Sequence, residues 1–68
     1  MTFGDNLRRL RRARGLTQKQ LAERIGYCSR NVSVWECGYT TPRMNTLCDL
    51  ADALGVSLDE LTGREKRG

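Results

Sequence analysis

The sequence predicts an all-α protein, a compact domain of five short helices, and three observations carry that prediction. Apolar residues recur at the three- and four-residue spacing of a helix. Almost no segment alternates apolar and polar residues with period two, and a glycine falls where each periodic segment stops. The chain of 68 residues makes one small domain, which can bury only about 60% of its unfolded surface. A large enclosed active site is not expected of it.

Phe3, Leu7 and Leu10 form the apolar stripe of the first helix, with arginines at 8, 9, 11, 12 and 14 around it, and Gly15 ends it. The second helix begins at Thr17 in "TQKQLAERIG". Thr17 and Gln20 have the spacing of a capping box, and Leu21, Ala22 and Ile25 supply the inward face. Gly26 stops it, since glycine is free to take the left-handed backbone that turns the chain. The third helix is "SRNVSVWECG", residues 29 to 38, closed by its glycine. After the turn "YTTP", Pro42 is suited to open a fourth helix through "RMNTLCDLADAL", with Leu47, Leu50, Ala51 and Leu54 at helical spacing. Gly55 ends it. "SLDELTG" then makes a fifth, with Ser57 and Glu60 in a second capping-box spacing. Residues 1–62 are read as the folded domain and 63–68 as a frayed basic tail.

Charge is spread unevenly. Twelve Lys and Arg against eight Asp and Glu give a formal charge of +4; residues 1–43 carry a net +6 and residues 44–68 a net −2. A basic half of this kind suits a polyanion. No segment approaches the roughly 20 apolar residues of a membrane span, and "MTFGDNLRRL" lacks the apolar middle of a signal peptide, so a cytoplasmic location and no membrane partner are expected. Cys28, Cys37 and Cys48 are odd in number and without C-x-x-C spacing, and the chain has no histidine. Free thiols, no metal site and no cofactor are the expectation. The missing histidine also removes the commonest general base, so an enzyme is not expected.

The third helix raises the functional question. Val32 can face a core and Trp35 beside Glu36 can close the next turn, but Ser29, Arg30, Ser33 and Val34 are left pointing elsewhere. Just before it, Ala22 is small and sits four residues ahead of Gly26, with Val32 six after. Two helices can therefore cross closely over a turn of three or four residues, which is the helix-turn-helix signature.

With these pieces in order, together with the Thr-Gln pair, Ser-x-Trp-Glu-x-Gly, the proline after the turn and "ALGVSLDEL", the chain resembles the Cro and phage-repressor type of helix-turn-helix regulator, the XRE family, over residues 3–62. The resemblance implies a lambda-repressor-like fold whose third helix enters the DNA major groove, and sequence-specific binding of double-stranded DNA by a transcriptional regulator, most simply a repressor. Arg30 is then expected to bond guanine O6 and N7, Ser29 and Ser33 base edges or a phosphate, and Val34 a thymine methyl. Gln18, Arg43 and Trp35 are the expected phosphate contacts. Relatives often carry a polar or basic residue at the position of Val34, and one near phosphates at that of Cys37. Cys28 stands where relatives place a Ser or Thr cap. In this family an arginine of the first helix pairs with the glutamate near the end of the third, so Arg11 and Glu36 are expected to be a structural pair that holds the recognition helix.

Such modules bind as homodimers on palindromic operators, because one short helix covers too few base pairs. Any dimer of this chain would use the C-terminal part, where Val56, Leu58 and Leu61 could leave an apolar edge. The alternative is an antitoxin or protein-interaction subunit whose partner covers the Trp35 and Tyr39 side or the fifth-helix edge. No small-molecule ligand is evident from the sequence.

Overall fold

A computed structural model describes residues 2–63. They form five helices: α1 (Phe3–Ala13), α2 (Gln18–Ile25), α3 (Ser29–Cys37), α4 (Met44–Leu54) and α5 (Leu58–Thr62), with no strand among the described residues. Leu7, Leu21, Val32, Leu50, Leu54 and Leu61, drawn from all five helices, are wholly buried and make a single core.

Local chemistry sets the helix ends. Thr2 caps α1 by accepting the Asp5 N–H, and Thr17 and Gln20 form the reciprocal capping box expected for α2. At α5 only half of the expected box is present: Ser57 Oγ accepts the Glu60 N–H. Pro42 does not open α4 as its sequence position suggested; it is buried two residues earlier, and Arg43 is the N-cap. Arg14 caps α1, and Gly15 follows it as the left-handed residue. The expected tail lies outside the described residues except for Gly63, which caps α5.

The turn between α2 and α3 is Gly26-Tyr27-Cys28. Gly26 takes φ 77°, so the Tyr27 N–H reaches back to the Ala22 carbonyl at 2.8 Å and the chain reverses at once. Tyr27 then pins the turn from outside. Its ring meets Trp35 edge-on at 5.3 Å, and its hydroxyl lies 2.9 Å from Thr46 Oγ1 on α4. Asn6, also buried, bonds the Glu60 and Leu61 carbonyls and so closes α5 against α1. Leu61 is wholly buried there, which removes it from the apolar edge expected of the C-terminal part; Val56 and Leu58 are half-buried against the same core.

A buried ion pair fixes α3. The Glu36 carboxylate receives Arg11 Nε at 2.6 Å and Arg11 Nη2 at 3.1 Å, the two-pronged geometry that only guanidinium offers. Gln18 Nε2 donates to the same carboxylate at 3.0 Å, and Arg8 Nε stands 3.6 Å away. The third prong of Arg11, Nη1, reaches the Leu16 carbonyl at 2.7 Å. One carboxylate thereby joins α1, the loop that follows it, α2 and α3, and the pair expected from the sequence is present. Burial alone would push the Glu36 carboxyl up, but the hydrogen bonds from Arg11 and Gln18 and the charges of Arg11 and Arg8 outweigh it and hold it below the usual range.

Two predictions arise from these anchors. Because Glu36 ionises more readily in the fold than in the unfolded chain, the unfolded chain binds more protons as the pH drops through the ordinary glutamate range. The contribution of Glu36 is complete above that range and is lost as the pH falls through its lowered folded value. Glu36→Gln should cost about 3 kcal/mol at neutral pH by leaving Arg11 without its charge partner. In denaturant titrations across the acid range the gap between the two proteins should then narrow, and a gap that widens on acidification would contradict the assignment. Separately, Cys28 is the N-cap of α3 and makes no side-chain cap bond. Cys28→Ser should stabilise by about 0.5–1 kcal/mol, read as a melting temperature a few degrees higher; a fall of several degrees would show that the thiol packs better than its exposure implies.

Candidate DNA-binding surface

α3 has two unlike faces. Val32, Trp35 and Glu36 turn inward and are buried, while Ser29 and Arg30 are exposed and Ser33 and Val34 half-exposed. The helix repeat explains the division, since Arg30, Val34 and Cys37 fall at i, i+4 and i+7 along one line opposite Val32. Among the described residues the side chains of Ser29, Arg30 and Ser33 make no hydrogen bond to the rest of the fold. Their donors and acceptors are available to a ligand. α3 itself has only three buried residues, so its orientation rests on the grip of its neighbours rather than on its own apolar stripe.

The expected phosphate-contacting residues are placed less uniformly. Arg43 is exposed at the head of α4, between exposed Tyr39 in the preceding loop and exposed Met44, the first residue of the helix. Gln18 stands at the head of α2 as expected, but one N–H of its amide is engaged with Glu36; the second amide N–H and the first-turn N–H groups of α2 remain to meet an anion. Trp35 is only 6% exposed, packed into the core with Tyr27 against its ring, so most of its surface serves to hold the turn.

One residue on this surface escapes a reading of the sequence: Asn31, exposed beside Arg30. Exposed Cys37, seven residues after Arg30, continues the outward line. No group of His, Cys, Asp or Glu among the described residues is arranged to hold a metal ion, and no described helix is long and apolar enough to cross a membrane. The outward face of α3 offers the hydrogen-bonding groups of Ser29, Arg30 and Ser33 and the positive charge of Arg30.

Known proteins share this architecture. A family profile described as "Helix-turn-helix" matches residues 7–61. The HTH-type transcriptional regulator y4dJ of Sinorhizobium fredii is 47% identical over 58 residues, covering 85% of this chain and 75% of that protein. The cryptic phage CTXphi transcriptional repressor RstR of Vibrio cholerae is 39% identical over 64 residues, covering 94% of this chain and 57% of RstR, so the chain spans little more than half of that relative's length. The P22 c2 repressor, solved in complex with a synthetic operator, superposes with a TM-score of 0.89 at 28% identity over 96% of this chain and 98% of its own. The chain belongs to the helix-turn-helix family of Cro and phage-repressor type transcriptional regulators.

Proposed function

We propose that the chain binds double-stranded DNA in a sequence-specific manner and acts as a transcriptional repressor, with α3 lying in the major groove. The observation that carries this reading is the outward face of α3, where Ser29, Arg30, Ser33 and Val34 stand on a helix whose other face is locked by Val32, Trp35 and Glu36. The operator complex of the similarly folded P22 c2 repressor supports it.

Arg30 reads guanine O6 and N7 through its fork, Ser29 and Ser33 bond base edges or a nearby phosphate, and Val34 meets a thymine methyl. Gln18, through its second amide N–H and the N–H groups at the head of α2, and Arg43 position the domain on the backbone. No chemistry is performed on the DNA, and the protein works in the cytoplasm. A nine-residue helix covers too few base pairs for useful discrimination. Two copies therefore occupy a palindrome with half-sites about one helical turn apart.

Selection of preferred duplexes from a random library at near-physiological salt tests the whole reading: an enriched palindrome is expected, and no enrichment by the folded protein would overturn it. Arg30→Ala should weaken the preferred duplex by about 1–3 kcal/mol and relax base choice at one position of each half-site, whereas Arg43→Ala should weaken all duplexes alike and flatten the salt dependence. Unchanged affinity and unchanged preference in Arg30→Ala would place the reading face elsewhere.

A further inference from the structure

An interior helix position filled by glycine is costly, because alanine in the same place is more favourable by about 1 kcal/mol. Gly4 stands in the first turn of α1 as its second residue, buried and with a helical backbone that does not call for glycine. Its surroundings explain it. A methyl group on its Cα would lie 2.5 Å from the Glu36 carbonyl oxygen and 2.8 Å from that of Trp35, both main-chain atoms of the last turn of α3. No side-chain rotation can relieve such contacts. The helices would have to separate by at least 0.5 Å to clear 3.0 Å and by nearly 1 Å to reach ordinary contact at 3.4 Å.

The same face of α1 carries Arg8 and Arg11, four and seven residues on, and both approach the side chain of that same Glu36. α1 thus holds one residue of α3 twice. Gly4 sets how near the backbone of Glu36 can come, and Arg11 sets where its carboxylate points. α3 has no side-chain cap at Cys28 and buries only three residues, so these two contacts set its depth together with the packing of Val32 and Trp35 in the core.

We infer that Gly4 is a positioning residue for DNA recognition: the missing side chain fixes the height of α3 above α1 and so the register of Ser29, Arg30, Ser33 and Val34 against the bases. The inference rests on the proposed function and deepens it. Base-reading groups must be held to within about 0.5 Å of their working geometry, a tolerance that a shift of nearly 1 Å exceeds. Phosphate contacts through long flexible side chains and non-directional charge are far more forgiving.

The test is Gly4→Ala in the full chain, with Asn6→Ala as a comparison that weakens the contact of α1 with α5 and leaves the contact with α3 alone. Each protein is titrated with the selected duplex and with a scrambled duplex of equal length, and its melting is recorded. Gly4→Ala should lose about tenfold or more in the ratio of selected to scrambled affinity, corresponding to the discrimination of a bidentate base contact. Its affinity for scrambled DNA should stay near that of the parent. Asn6→Ala should melt lower and keep its ratio. If Gly4→Ala does not fold in buffer, all titrations are made in trimethylamine N-oxide, which favours the compact state. A folded Gly4→Ala that keeps the parental ratio overturns the inference, as does one that melts higher than the parent in the way an ordinary helix substitution would. A parent with no preference between the duplexes overturns the proposed function itself, and the inference with it.

Discussion

The architecture depends on one buried carboxylate. Glu36 is 4% exposed and lies in the helix offered to DNA, where an uncompensated acid would be doubly unfavourable, through its own desolvation and through repulsion from phosphates. Both costs are removed by enclosing it. Arg11 neutralises it with two short bonds, Gln18 takes a share of its second oxygen, and Arg8 adds positive charge from the side. A leucine here would serve burial better, but it could not make bonds of fixed direction to two other helices. The ion pair therefore contributes orientation more than net stability, and orientation is what a helix with three buried residues lacks.

The supports of α3 are of different physical kinds. Main-chain contact at Gly4 limits distance, the Arg11 fork limits rotation, and Tyr27 holds the turn through an edge-on contact with Trp35 and a hydroxyl contact with Thr46. None of them uses the outward side chains. Arg24, Ile25, Asp49, Asp52 and Ala53 line a shallow groove between α2 and α4.

The sequence makes the helices legible because each one carries its own stop signal and a periodic apolar face, as at Leu21, Ala22, Ile25 and Gly26. The Arg11–Glu36 pair is legible only through the family resemblance, since 25 residues separate the partners and nothing local connects them. Features that depend on tertiary distance are not legible in this way. Gly4 looks like an ordinary weak point in a helix until the carbonyls of α3 are seen beside it. Gln18 looks free until Glu36 claims its amide, and Trp35 looks amphipathic until Tyr27 closes over its edge. Leu61 follows the same logic: a short terminal helix seems to leave its apolar residues spare, but Asn6 ties that helix down by its last carbonyls and drives Leu61 inside.

This separation of duties has a consequence for specificity. Residues that make no bond within the fold can change without disturbing it, and Ser29, Arg30 and Ser33 are in that position, with Val34 only half-buried. Glu36, Arg11 and Gly4 are not, because a change at any of them moves the whole helix. A protein built like this can acquire a different base preference through substitutions on one narrow line of α3 while the frame that aims the line stays constant. The apolar Val34 illustrates the point: in the proposed reading it offers a methyl contact in place of a hydrogen bond, and it is only half-buried, so the frame does not rest on its side chain.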